Sequence, residues 1–208
     1  HTPAEENSKI SERAEAGIAS EDITETFTDN NFRAAVREKL GLKDAEPITG
    51  TACAAVKELD VSGKDIDSLA GIEYFTGLTN LDCSNNRLIS LDITNCTKLA
   101  YFSCGENQLS ELNVKECPNL MVLDCSGNYL TDLDVTNCNN LRQLTCGFGG
   151  RKNQLKSLDV SKCPDLMGLY IHNNDLTELN LENCPELDSL ACNSNHLKEL
   201  NLEKCPKL

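Results

Sequence analysis

A phrase of 21 residues recurs along most of this chain and constrains its fold more than any other feature. Each copy reads L-x-x-L-x-C-x-x-N-x-L-x-x-L-x-(V/I/L)-x-x-C-x-x, and the copy that begins at Leu141 is four residues longer. A looser copy of 22 residues opens at Val56, without the asparagine and the cysteines. Repetition at such a period is the sequence signature of a solenoid. The regular copies begin at Leu78, Leu99, Leu120, Leu141, Leu166, Leu187 and Leu208.

The spacing of apolar residues within the phrase predicts the architecture. In L-x-x-L-x-C the second leucine and the cysteine lie two positions apart. This spacing is typical of a short strand with leucine and cysteine facing inward. Stacked copies would form one parallel sheet on a concave face. The rest of each copy is too short to form a full helix and also bring the chain back to the start of the next strand. The predicted fold class is therefore an α/β solenoid with an extended or irregular convex side, little helix, and a helical N-terminal cap.

The chain divides into three predicted segments. Residues 1–22 are acidic and polar, which predicts a disordered tail or linker. Residues 23–55 are predicted to cap the solenoid, because its first repeat would otherwise expose leucines and an open sheet edge. Residues 56–208 hold the 22-residue unit and six full units. The last copy has no polar cap, so we expect either that the natural chain continues beyond 208 or that this end is buried in a partner.

The cap segment contains one clear helix signal, "FTDNNFRAAVREKLGL". Asp29 or Asn30 would accept the first backbone N–H groups of the helix, and Gly41 would end it. Between these ends the apolar residues share one face of the predicted helix: Phe32, Ala35, Val36 and Leu40.

Two polar columns recur with the repeat. The asparagine column favours a buried ladder whose amides hydrogen-bond turn backbone, with a polar binding row as the alternative. The Asp/Asn column favours a solvated or turn-bonding face over a cation site, because no loop supplies the six or more oxygens that calcium needs. The first column is Asn86, Asn107, Asn128, Asn153, Asn174 and Asn195; the second is Asp92, Asn113, Asp134, Asp159, Asn180 and Asn201.

Eleven of the 12 cysteines form two further columns. Val61 and Ile171 occupy first-column positions, which indicates an apolar, inward-facing site where free cysteine behaves as a small hydrophobe. Disulfides within a column are less favoured, because in-register side chains point the same way. Zinc is disfavoured by the absence of C-x₂-C clusters. No cysteine recurs with a histidine base, so we expect no catalytic residue, no metal and no cofactor.

The repeat resembles that of leucine-rich-repeat proteins, L-x-x-L-x-L-x-x-N-x-L. The 21- and 22-residue units and the helical opening are similar to those of the bacterial internalins. The resemblance covers residues 56–208. It implies a curved, extracellular binding module, often an adhesin against host surface proteins or glycans.

Candidate binding residues face outward from the predicted strands or lie in the insertion "GFGGRK" of the longer repeat. Most outward positions are small and polar, so the larger side chains would stand above a smooth floor and serve as anchors. Glycines would let the insertion project, although a neutral insertion is the alternative. The candidates are Tyr101, Val122, Asp124, Gln143, Phe148, Arg151, Tyr170 and His172.

Charge limits the possible partners. The chain has 33 acidic and 19 basic residues and a net charge of −14, which disfavours nucleic acid and anionic membranes. No apolar run approaches the length of a membrane span. Together with what the resemblance to internalins implies, we expect a non-catalytic, adhesin-like recognition module, secreted or at the cell surface, whose ligand is a protein or glycan, including one on a host surface. The alternative is a structural spacer of a larger cell-surface protein that self-associates through its uncapped C-terminal end.

Overall fold

A single parallel sheet of seven short strands, in chain order, forms the centre of the protein. The computed structural model describes residues 21–148 and 150–208. Neighbouring strands pair in register, with each residue opposite its equivalent in the next repeat. This confirms the predicted stacking of repeats. The strands are β1 (Glu58–Asp60), β2 (Asn80–Asp82), β3 (Tyr101–Ser103), β4 (Val122–Asp124), β5 (Gln143–Thr145), β6 (Gly168–Tyr170) and β7 (Ser189–Ala191).

The side of the solenoid away from the strands is built of turns. From β2 onward, the described chain contains no helix, as the short return segments predict. The leucines and valines of these segments, among them Leu133 and Val135, point into the same core as the strand leucines. The fold is thus a flattened coil with an aliphatic interior, and the predicted fold class is confirmed.

The asparagine column is a buried ladder that links successive repeats. Nδ2 of Asn128 donates to the backbone oxygen of Cys125 in its own repeat (3.1 Å) and of Cys104 in the preceding one (3.0 Å). Its Oδ1 accepts the backbone N–H of Leu109 at 3.0 Å. Asn107, Asn153, Asn174 and Asn195 repeat this pattern with their own neighbours. The structural interpretation of this column is confirmed.

The Asp/Asn column closes turns on the other side of the coil. Asp92 Oδ1 accepts the backbone N–H of Thr94 at 3.0 Å, and Asn113 Oδ1 accepts that of Lys115 at 3.1 Å. The other four members make the same contact to the residue two positions later. This column is therefore turn-bonding, as predicted.

All 12 cysteines lie in the described part of the chain as free thiols, and each is buried except Cys192. Burial raises the pKa of Cys96 to about 12 and that of Cys138 to about 11. Thiols of this kind hold almost no thiolate at neutral pH, and thiolate is the reactive form. The cysteines thus contribute packing, as the sequence predicts.

Two helices and an aromatic cluster precede the first repeat. Helix α1 (Asn30–Leu40) begins after its N-cap Asp29 and ends at Gly41, as predicted; helix α2 spans Gly50–Ala55. Phe27 packs on Phe32 and on Phe75 of the first repeat, with ring centroids 5.6 and 6.4 Å apart.

Asp29 joins α1 to the first repeat. Its Oδ1 accepts the backbone N–H of Phe32 at 2.9 Å, and its Oδ2 accepts that of Asp67 at 2.7 Å. Burial acts to raise the pKa of Asp29, but the backbone donors outweigh it and hold that pKa below the ordinary value of 3.8.

Two expectations concern the whole chain. The predicted tail, residues 1–22, falls almost entirely outside the described residues, and the division into cap and repeat domains stays a prediction. Within the described residues, no helix is both long and apolar enough to cross a membrane.

Replacing Asn128 with alanine should lower the free energy of unfolding by about 3 kcal/mol, because buried backbone groups of two repeats lose a partner. Denaturant titration measures the change. The control is Asn139→Ala, since Asn139 is exposed and forms no hydrogen bond with the described residues; we expect a change within about 0.5 kcal/mol. Equal losses in the two variants would contradict the role of the ladder.

A disulfide reagent at about pH 8 should label Cys192 first, because thiolate fraction and access govern its reaction. Cys104 and Cys138 should react only when the protein unfolds. Peptide mass spectrometry after timed quenching identifies the labelled residues, and the unfolded protein in guanidinium is the reference for full labelling. Rapid labelling of Cys104 in the folded protein would show that the column is open to solvent.

The contribution of Asp29 to stability should depend on pH. Because the pKa of Asp29 is lower in the folded protein than in the unfolded chain, its stabilisation is present above 3.8 and is lost as the pH falls through the folded-state value. The stability difference between wild type and Asp29→Asn should therefore be largest near neutral pH and shrink toward about pH 3. Urea titrations across this range measure it, with exposed Asp44→Asn as the control; a difference that does not change with pH would refute the assignment.

Candidate ligand-binding surface

The outward face of the sheet presents three rows of side chains, one residue per strand in each row. In-register pairing sets neighbours in a row about 4.8 Å apart. Most members are small, so larger ones stand above the floor. Row one is Glu58, Asn80, Tyr101, Val122, Gln143, Gly168 and Ser189; row two is Asp60, Asp82, Ser103, Asp124, Thr145, Tyr170 and Ala191; row three is Ser62, Ser84, Gly105, Ser126, Gly147, His172 and Asn193.

Tyr101 is the largest side chain of row one. It is 45% exposed and lies opposite Val122, which in turn lies opposite Gln143. A tyrosine ring beside a valine offers apolar contact area without exposing the core below, because the next residue of each strand, Phe102 and Leu123, is buried. This is the first half of an apolar row across the sheet.

Tyr170 continues that row although its backbone belongs to row two. Gly168 has no side chain, and a Cβ there would lie 3.0 Å from the Tyr170 ring and 3.5 Å from Cγ of Gln143. The ring therefore leans over Gly168 and takes the place that a row-one side chain would fill. The glycine thus brings Tyr170 beside Gln143.

Phe148 packs against this end of the sheet from the insertion. Its ring centroid is 6.0 Å from that of Tyr170 and 4.5 Å from that of His172, edge to face with the imidazole. The chain just before Phe148 runs close to the next repeat: a Cβ at Gly147 would lie 2.5 Å from the backbone nitrogen of His172. Only glycine allows that approach, and Nδ1 of His172 is buried there without a hydrogen-bond partner among the described residues.

The structure therefore brings five of the predicted candidates into one line, which we call the aromatic strip. Its two ends, Tyr101 and Phe148, are 45% and 53% exposed. Asp124 and His172 flank the strip in rows two and three. The strip consists of Tyr101, Val122, Gln143, Tyr170 and Phe148.

Arg151 is directed away from the strip, and the insertion does not project as expected. The backbone N–H of Gly150 donates to Oε1 of Glu106 at 2.7 Å, and the Arg151 guanidinium lies 3.9 Å from Oε2 of the same carboxylate. Nε of Arg151 also donates to the Tyr129 hydroxyl at 3.2 Å. The described part of the loop is thus held along the edge of the sheet, because Glu106 two repeats earlier offers it a carboxylate.

Rows one and two also carry carboxylates that the sequence candidates include only at Asp124. Oδ1 of Asp82 accepts from the backbone N–H and the hydroxyl of Ser84, at 2.9 and 2.6 Å. Asp60 with Ser62 and Asp124 with Ser126 repeat the arrangement. The hydrogen bond from the Ser62 hydroxyl, and next the one from the Ser62 backbone N–H, lower the pKa of Asp60. The recurring D-x-S at the end of a strand was the signal that could have identified them.

These carboxylates and Tyr101 line a groove of about 470 Å³ that runs over β1 to β5. Its floor is the sheet, and Lys39 of α1 lies at its margin. Glu58 is the remaining carboxylate of the groove, which is therefore acidic with an apolar side.

A larger groove of about 710 Å³ lies on the turn side of the coil. Half-buried Leu91 and the turn residue Asp92 line it, as do Leu112, Asn113 and Asp134 of the next repeats. It follows from the repeat itself, and its one distinctive residue is Ile89, which is 68% exposed. The strand face differs because its large side chains occur once each.

The described residues hold no group of three or more His, Cys, Asp or Glu side chains placed to bind a metal ion. What the strand face offers is contact: aromatic edges, amide and carboxylate hydrogen-bond groups, and a rigid floor. These are the means of recognition by surface complementarity.

One relative of known sequence shares the repeat. Internalin J of Listeria monocytogenes serotype 4b (strain F2365) is 31% identical over 78 residues, which are 38% of this chain and 8% of internalin J. The matched stretch is thus a small part of that longer protein. It supports the predicted similarity to internalins with cysteine-containing repeats.

Solved structures share the fold. The functional domain of internalin J from Listeria monocytogenes, which includes a cysteine ladder, is 28% identical with a TM-score of 0.55; the match covers 91% of this chain and 51% of that domain. Internalin C2 of Listeria monocytogenes strain 4b F2365 has a TM-score of 0.65 at 18% identity, covering 89% of this chain and 93% of that one, and shows the fold alone. The predicted resemblance to internalins and their cysteine ladder is confirmed.

A family of repeat domains covers most of the chain. The leucine-rich-repeat domain of the endo-β-N-acetylglucosaminidase EndoS matches residues 27–174, from the aromatic cluster of the cap to the asparagine that follows β6. By this match, and by the sheet and ladder that it spans, the chain belongs to the EndoS-type family of leucine-rich-repeat domains.

Proposed function

We propose that this protein is a non-catalytic recognition module that binds a protein ligand through the aromatic strip. Internalin-like leucine-rich-repeat folds are typically protein-interaction modules, and the strip is the feature of this one that differs from repeat to repeat. The observation that carries the proposal is the alignment of exposed Tyr101 with Val122, Gln143, Tyr170 and Phe148 on one rigid sheet face.

The energetics of interfaces support this assignment. A few aromatic anchors contribute most of the binding free energy at protein interfaces, where small neighbours exclude water around them. Tyrosine gives a large contact area for few rotatable bonds, so its ordering costs little entropy. Tyr101 is flanked in its row by Asn80 and Val122, which leaves its ring accessible from above.

A glycan ligand is the alternative class. The family takes its name from an endo-β-N-acetylglucosaminidase, and aromatic faces also contact sugar rings. Phe148 and Tyr170 are tilted by 47° to each other, so together they present an uneven surface rather than one flat platform. That geometry suits side chains of a protein better than a planar sugar face.

Self-association is the second candidate function. Sedimentation velocity over a wide concentration range tests it. A sedimentation coefficient that rises with concentration would favour assembly over recognition.

We further propose an extracellular or cell-surface location, supported by the similarity to internalin J. Buried thiols are compatible with an oxidising environment, because burial keeps them from oxidants and from disulfide exchange.

A photo-reactive phenylalanine derivative in place of Val122 should cross-link the ligand in extracts of surface proteins. The same derivative at Ile89, on the turn side, is the matched control. Partners captured at 122 and not at 89, and identified by mass spectrometry, support the proposal.

The double variant Tyr101→Ala/Tyr170→Ala should weaken that capture about tenfold or more, because two anchors are removed. Its free energy of unfolding should change by about 1 kcal/mol or less, since neither ring is part of the core. Ile89→Ala should leave capture unchanged. Full capture by the double variant would exclude the strip as the binding surface.

A further inference from the structure

The three outward rows of the strand face carry carboxylates and no lysine or arginine. The carboxylates belong to Glu58, Asp60, Asp82 and Asp124. The one cation lining the adjoining groove is Lys39 of α1, which is exposed at its margin. The apolar strip is therefore bordered by negative charge along its β1 to β4 half.

The aspartates beside the strip are held in fixed orientations. Oδ1 of Asp124 accepts the backbone N–H and the hydroxyl of Ser126 at 2.9 and 2.6 Å, and Asp82 does the same with Ser84. The second oxygen of each carboxylate forms no hydrogen bond or ion pair with the described residues, so it is free to accept one from a ligand. Fixing the carboxylate in advance lowers the entropy cost of a new contact.

The spacing of the rows fits an extended chain lying across the strands. Asp82 on β2 and Tyr170 on β6 are four strand spacings apart, about 19 Å, which an extended segment covers in about six residues. Successive side chains of an extended segment point to opposite sides. A segment that lies between row one and row two therefore directs its side chains alternately toward the two rows. Those over row one meet Tyr101, Val122 and the Tyr170 ring, and those over row two meet Asp82 and Asp124.

We propose that the ligand is a protein segment in extended conformation in which apolar side chains alternate with lysine or arginine. The apolar side chains contact the aromatic strip, and the basic ones pair with Asp82 and Asp124. This inference rests on the proposed function and specifies the chemistry of its partner. The chain's net charge of −14 favours such a cationic partner over a second copy of the same chain, which would be repelled.

The test is selection of a random peptide library displayed on phage against the intact protein. Selections are run in parallel on wild type, on Asp82→Asn/Asp124→Asn, and on Asp92→Asn/Asp159→Asn. Asparagine keeps the oxygen that accepts from the serine, so the first pair removes charge from the strand face with little change of geometry. The second pair removes the same charge from the turn column, where Asn113 and Asn180 occur naturally.

Peptides from the wild type should be enriched in Lys or Arg alternating with apolar residues. Their affinity should fall about tenfold for Asp82→Asn/Asp124→Asn at low salt, with a smaller difference at about 0.5 M salt where charges are screened. The turn-column pair should bind as the wild type does, and the intact fold of each variant is checked by its unfolding midpoint.

The possible failures separate the two proposals. Peptides that need Tyr101 and Tyr170 but lack basic residues, or bind Asp82→Asn/Asp124→Asn unchanged, would overturn the cationic partner and leave the proposed function standing. Binding of a glycan array that depends on the strip, with no peptide selected above background, would overturn the protein ligand itself.

Discussion

The asparagine that ties each repeat to the one before it is the contact on which the rest of the structure depends. Each coil turns sharply after its strand, and the turn places backbone N–H and C=O groups inside the core where water cannot reach them. One buried amide satisfies groups from its own turn and from the preceding repeat, as Asn128 does. The same amide therefore closes the turn and fixes the register of the sheet.

The longer repeat shows how strictly the ladder constrains the coil. Asn153 follows the insertion, yet it still donates to the backbone oxygens of Cys125 and Cys146 at 3.0 Å and accepts from Leu130 at 2.9 Å. The extra residues consequently leave the coil as a loop and do not shift the strands. Phe148 then packs on the sheet face, and Arg151 is neutralised by Glu106. An insertion that the ladder excludes from the core thus becomes part of the candidate surface.

Because most outward residues of the strand face are small or polar, a single large side chain is enough to change the contact surface. One tyrosine in row one and one glycine in the same row, Gly168, are enough to create a line of apolar contact. The cysteines, in contrast, do not contribute to the outward face. Those of the two columns recur at equivalent positions and are buried except for Cys192, so they keep the layers packed and leave recognition to the outward rows.

Periodicity alone determined the solenoid, the parallel sheet, the buried ladder, the turn-closing Asp/Asn column and the buried thiols. Short-range signals likewise placed α1 between Asp29 and Gly41. All of these depend on contacts within one repeat or between identical neighbours, which an alternating pattern encodes. The six predicted candidates outside the insertion share a face for the same reason. Their binding role, and the division into cap and repeats, stay predictions.

Only the tertiary structure decided how the individual side chains of that face are arranged. The Tyr170 ring crosses to row one because Gly168 leaves a gap beside Gln143 of the neighbouring strand. The insertion folds back because Glu106, 44 residues before Gly150, offers a carboxylate at the edge of the sheet. Alternation says which residues point outward, but the direction of each side chain is set by partners distant in sequence.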